Sequence, residues 1–174
     1  MRIPHYFKFY WLFFFCISSS TLFAQVNFTS NPSLTDLINA FAGENVQLSN
    51  PVFLSGDTTT QIALFQDGVA NANLQIDNGI YFSTGNVNTE LTQTNANRSS
   101  SINNQLVYED SDLQVLEESA VFDVVLFQFD LTLGNTRDGL IFSYQFGSEE
   151  YPDFVGSVYN DVFAIFVEGP GIDG

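Results

Sequence analysis

The sequence predicts an all-β fold: a two-sheet antiparallel sandwich, jelly-roll-like, with one short N-terminal helix and an incomplete C-terminus. Three observations carry this expectation. From Val46 onward, short apolar runs are broken by Gly, Asp, Asn and Thr, the punctuation of strands and turns. Helical periodicity of good quality occurs once, near the start. The last apolar run, 161–169, is apolar on both faces, which an edge strand rarely is. Further strands are therefore expected beyond Gly174 to pair with it.

The helix is expected over 33–43, "SLTDLINAFAG". Ser33 can cap its N-terminus, and Asp36 stands at the capping-box distance. Leu34, Leu37, Ile38 and Phe41 fall on one face, and Gly43 suits a left-handed C-terminal position. Strands are expected at 46–54, 61–69 and 74–83, with Asp77-Asn78-Gly79 as a turn signal. Residues 85–105, rich in Asn, Ser and Thr, read as a long exposed loop. A short acidic helix capped near Ser111 fits 109–119. The run 121–131, "VFDVVLFQFDL", suits a central strand covered on both faces. In 139–146, Leu140, Phe142, Tyr144 and Phe146 share one face, and Ile141, Ser143 and Gln145 share the other. A turn is expected between these two strands, at 135–139. No internal repeat or composition break divides the chain after the leader.

Residues 1–24 read as a secretory signal peptide. Arg2, His5 and Lys8 form a basic start, 9–17 is apolar but too short to span a bilayer, and Leu22-Phe23-Ala24 precedes the expected cleavage site. Lipidation at Cys16 is not expected, because Phe15 stands where a lipoprotein signal needs a small residue. Residues 25–174 then form one domain with length enough for a core.

Removal of the leader narrows the chemistry. The only Cys, His, Lys, Met and Trp (Cys16, His5, Lys8, Met1 and Trp11) all lie in it. Arg98 and Arg137 remain against 20 acidic residues, a formal charge of −18. Without His there is no Ser-His-Asp triad. Without Cys there is no thiol nucleophile, disulfide or Cys/His zinc site. Without Lys there is neither a Schiff base nor a P-loop. Two arginines cannot neutralise a nucleic-acid backbone or hold an anionic membrane surface. Carboxylate chemistry, hard-cation binding or a purely structural role remain.

The densest acidic motif is "FGSEEYPDFVGSVYNDVF", 146–163. Neighbouring residues on a regular strand point to opposite faces, so Glu149 and Glu150 do not form a side-by-side pair unless the strand bulges. Glu150 continues the core face of Phe146, where a carboxylate must be paired, protonated or metal-bound. Pro152 holds Tyr151 extended and ends the ladder, as at a sandwich corner. In the structural reading the acids accept backbone N–H groups or pair with Arg137. In a second, Glu149, Glu150, Asp153, Asn160 and Asp161 supply oxygens to Ca²⁺, with Asp110 and Asp112 as outlying candidates and no EF-hand or RTX spacing. In a third, Glu149 and Asp153 act as the acid and nucleophile or base of a glycoside hydrolase.

The stretch 146–172, "FGSEEYPDFVGSVYNDVFAIFVEGPGI", resembles the signature of the choice-of-anchor L domain. The pieces "NVQLSNPVFLSGD", "LQIDNGIYFSTGNV", "DSDL" and "DVVLFQFDL" agree in order. The resemblance covers roughly residues 34–172, with Phe146, Gly147, Glu149, Glu150, Tyr151, Pro152, Asn160, Asp161, Phe163, Gly169 and Pro170 in family-like places. Glu168 departs from it, standing where a small polar residue is common. The resemblance implies a non-catalytic extracellular module of a secreted or cell-surface bacterial protein, structural or adhesive. Its expected partner is an extracellular protein or a glycan, with no membrane insertion of the mature chain. A calcium-dependent carbohydrate-binding module is the alternative. Tyr81, Tyr108, Tyr144, Tyr151 and Tyr159 would then replace the usual tryptophan platform, although Tyr at β positions more often packs. Asn27-Phe28-Thr29 and Asn97-Arg98-Ser99 match the N-glycosylation pattern, which is set aside for a bacterial chain.

Overall fold

The computed structural model describes residues 26–91, 107–134, 139–148, 154–157 and 161–172. Among them the chain forms two antiparallel sheets and four short helices. In order these are β1 (Asn27–Ser30), α1 (Leu34–Phe41), β2 (Val46–Ser55), β3 (Ile62–Gln66), α2 (Gly68–Ala72), β4 (Gly79–Phe82), α3 (Val87–Glu90), α4 (Ser111–Leu116) and β5 (Leu126–Leu133). One sheet has the order β1-β3-β4, and the other pairs β2 with β5.

The expected helix forms with its complete capping box. The Ser33 hydroxyl accepts from the Asp36 N–H at 3.2 Å, and the Asp36 carboxylate accepts from the Ser33 N–H at 3.1 Å. Two helix donors are thus satisfied reciprocally. Leu37 is fully buried beneath the helix. The expectation for Gly43 fails. The helix ends on extended Ala42, and the left-handed residue is Asn45, φ 62°. Asn tolerates that region better than most side chains do. The single-helix expectation also fails, because three shorter helices stand in the connections. The acidic one, α4, is capped by Asp110, one residue before the expected Ser111.

Among the described residues, strand β3 is the only one flanked on both sides. It pairs with β1 from Asn27↔Gln66 to Ser30↔Ala63, and with β4 from Ile62↔Phe82 to Phe65↔Gly79. Ile62, Ala63 and Phe65 are buried accordingly. The doubly covered strand had been expected at 121–131. There the extended run instead begins at Leu126, because Asp123 turns left-handed, φ 52°. Among the described residues β5 has one partner, β2, and is half-buried at Leu126, Phe127, Phe129 and Leu133 and exposed at the rest. β1 was not anticipated: its four residues, "NFTS", are too few and too polar to show a period.

The β2–β5 register shifts between Ser49 and Val52. Pro51 lacks the N–H that a ladder needs, and Asn50 is left-handed at φ 52°. The Asn50 amide donates to the Asp130 carboxylate at 2.6 Å across the irregularity.

Phenylalanines join the layers. Phe41 of α1 stands 6.4 Å from Phe82, 6.0 Å from Phe127 and 5.2 Å from Phe129, ring centre to ring centre. Phe53 lies 4.8 Å from its cross-strand partner Phe127, and Phe82 reaches Phe127 at 6.5 Å. These separations suit offset and tilted aromatic packing. Helix α1 therefore sits where the two sheets meet.

A buried glutamine ties the loops below this cluster. Gln61 is fully buried. Its Oε1 accepts from the Asp57 N–H, and its Nε2 donates to the Asp123 carbonyl, both at 2.8 Å. Its backbone N–H donates to the Asp57 carbonyl, and its carbonyl accepts from the Ser83 N–H.

Candidate functional site

The acidic motif hangs between two apolar segments, 139–148 and 161–168. Both were expected to be paired strands, and neither is one: among the described residues no backbone hydrogen bond joins 139–147 or 161–168 to another element. The expected alternation nevertheless persists in 139–146. Phe142 stacks on Phe41 at 5.6 Å, and Tyr144 and Phe146 lie 5.2 and 6.3 Å from Phe163. Ile141, just before Phe142, is 93% exposed. Gln145 accepts from the Gln75 N–H at 3.0 Å, which fixes 139–148 to the loop after α2. The intervening 154–157 makes a turn, closed by Ser157 N–H to Phe154 carbonyl at 2.9 Å with Gly156 at φ 75°. Further along, Phe163 meets both Tyr144 and Phe146.

Of the candidate metal ligands, Glu149, Glu150, Asp153 and Asn160 lie outside the described residues, as do Tyr151, Pro152, Tyr159, Arg98 and Arg137. Asp161 is described and exposed. The outlying Asp110 serves as a helix cap, its carboxylate accepting from the N–H groups of Asp112 and Leu113 at 3.1 and 3.0 Å. Asp112 opens the same helix. Among the described residues no three acidic, His or Cys side chains converge on one point.

Other carboxylates serve as acceptors for neutral donors. Glu90 receives the Tyr81 hydroxyl at 3.0 Å and the Ser83 hydroxyl at 2.6 Å. Tyr81 is thereby half-buried and turned inward, whereas Tyr144 is 62% exposed. Asp57 receives the Thr59 hydroxyl and N–H at 2.6 and 2.8 Å, and these bonds hold its carboxyl below the usual carboxylate range. Asp36 is held low by the Ser33 hydroxyl and then by the Ser33 N–H. Neither the Gln61 node nor the Glu90 acceptor site was anticipated. The Asp57-Thr58-Thr59 pattern was a readable Asx turn, but nothing local marks a glutamine that will be buried.

This arrangement defines a class: a β-rich, two-sheet module joined through phenylalanines. The chain belongs to the choice-of-anchor L domain family, which it matches over residues 25–173. The resemblance seen in the motif thus extends over residues 25–173. No curated protein and no solved structure matches the chain. Membership implies a surface-associated, extracellular type of domain, and one that is non-enzymatic in general. No helix among the described residues is long and apolar enough to cross a membrane.

Proposed function

We propose that the chain is a non-catalytic extracellular module, structural or adhesive, exported behind residues 1–24 and acting in the secreted or cell-surface space. The observation that carries this is where the family match begins. It starts at residue 25, the first residue after the cleavage site expected at Ala24. A domain that begins where an export signal ends is one delivered outside the cell. In this reading the two sheets are layers of an antiparallel, jelly-roll-like sandwich with α1 wedged at their junction. Two arginines against 20 acids suit calcium as a stabilising cofactor at the corner, held by Glu149, Glu150, Asp153, Asn160 and Asp161.

Two measurements test the proposal. Expression behind the native leader should yield extracellular protein whose N-terminal residue is Gln25, and retention of residues 1–24 would refute the export reading. For calcium, a chelated sample should gain about 2.7 kcal/mol at one hundred times the dissociation constant, or roughly 5–11 °C in Tm. Glu150→Gln should remove most of that gain and Asp57→Asn little of it. A melting curve unmoved by millimolar calcium would return the corner to a purely structural role.

A further inference from the structure

Residues 25–174 hold no lysine, because Lys8 lies in the leader. Cleavage after Ala24 therefore leaves the α-amino group of Gln25 as the one aliphatic amine of this region. It also places that amine on a residue whose own side-chain amide can react with it. The neutral α-nitrogen attacks the side-chain Cδ, and a new C–N bond closes a lactam ring. The bond from Cδ to the amide nitrogen breaks, and that nitrogen leaves as ammonia with a proton taken from the α-nitrogen. No oxidant, metal or second substrate enters the balance. Both groups belong to one residue, so their effective concentration is high. The fold next to this start is fixed by other bonds. Val26 is half-buried, and sheet pairing opens at Asn27, opposite Gln66. The Asp67 carboxylate at that end of the sheet accepts from the Asn27 amide at 2.6 Å, so β1 is held there by a neutral donor. β1 in turn flanks β3, where Ile62, Ala63 and Phe65 are buried. Chain ends are where trimming concentrates, and an aminopeptidase starting at Gln25 reaches β1 once Gln25 and Val26 are gone.

We propose that Gln25 is a modification site: the exported chain begins with pyroglutamate, which leaves residues 25–174 without any aliphatic amine. The proposal rests on the export reading and goes beyond it, from where the leader is cut to what the new terminus becomes. The ring removes the free amine that aminopeptidases recognise and so protects the start of β1. It also removes a cation from a region whose other bases are Arg98 and Arg137 alone.

The test expresses the full chain behind its native leader and treats the exported protein, unfolded but intact, with an amine-acylating reagent. Because residues 25–174 contain no lysine, the label reads the terminus alone. Labelling precedes digestion, so ring closure during work-up cannot imitate the result. Cleavage before Asp36 then releases the peptide 25–35 for mass spectrometry. That peptide should carry no label and should be lighter than its sequence mass by one ammonia. Pyroglutamyl aminopeptidase should remove its first residue and uncover a reactive amine on Val26. The variant Gln25→Ala, which cannot close the ring, should take up one label per chain. A chain that starts at Gln25 and accepts the label as fully as the Gln25→Ala variant overturns the proposal and leaves the export reading intact. A chain that starts elsewhere, or that keeps residues 1–24, sinks the export reading and the proposal with it.

Discussion

Replacing Gln61 by Met tests whether buried polar bonds or packing hold the loops to β3. Met keeps the length and approximate volume of the side chain but can neither donate nor accept usefully. Two hydrogen bonds disappear, leaving the Asp57 N–H and the Asp123 carbonyl without those partners. Each bond contributes about 0.5–1.5 kcal/mol net, and a stranded, part-buried partner costs about 1–3 kcal/mol. The methionine recovers part of this through apolar burial. The expected loss is about 2–3 kcal/mol, a fall in Tm of roughly 4–12 °C for a domain of this size. Urea unfolding at pH 7, followed by circular dichroism, measures it. Gln66→Met, at the exposed end of β3, is the control and should stay within about 0.5 kcal/mol. Gln61→Glu adds a sign. Its carboxylate still accepts from Asp57 but donates to Asp123 only when protonated, so burial raises its folded pKa above the unfolded value. That variant should therefore recover stability relative to the parent as pH falls from 7 towards 5. A Gln61→Met protein within about 0.5 kcal/mol of the parent would refute the reasoning, and packing alone would then hold the node.

Four further outcomes are expected. Ser33→Ala should cost about 1 kcal/mol in denaturant unfolding at neutral pH, from the lost cap. Asp36 and Asp57 have folded pKa values depressed below their unfolded values, so their contribution is complete above about pH 4 and lost as pH falls through the folded values. An acid titration of stability should show that loss, and Asp57→Asn should diminish it. Gly68→Ala should destabilise by about 1–3 kcal/mol in a thermal melt, because its Cβ would stand 2.5 Å from the Ile76 carbonyl oxygen and 2.9 Å from the Phe65 ring. Raising NaCl from about 10 mM to 0.5 M should increase Tm by several degrees, because salt screens uncompensated negative charge.

What was legible in the sequence was what has a period or a cap. The capping box at Ser33 and Asp36 and the starts of β2 and β3 followed from neighbours within a few residues. The four-residue β1 and the left-handed Asp123 did not, because each depends on a partner distant in sequence. Gln61 reaches Asp123 across 62 positions, and no local pattern encodes that. Segments 139–146 and 161–169 show the opposite failure. The alternation in 139–146 grouped Phe142, Tyr144 and Phe146, which pack on other rings while Ile141 is exposed, but a strand pattern specifies a face and not a neighbour. The acidic motif was legible as composition and as a family signature. Its described flanks supply the turn and the aromatic packing, whereas most of its acids lie outside the described residues.

The described carboxylates show how a chain with so few cations manages its charge. Asp36 is bonded by a serine, Asp57 by a threonine, Asp67 and Asp130 by asparagine amides, Glu90 by a tyrosine and a serine, and Glu117 by Ser119. Asp110 is bonded by helix N–H groups. Each bond satisfies an oxygen and orders a turn, cap or bulge, as a salt bridge would, but none cancels the charge. Neutral donors thus stabilise local geometry and leave the negative potential intact. That potential acts outward, where it opposes association between copies and with acidic polymers, and favours basic or cationic partners.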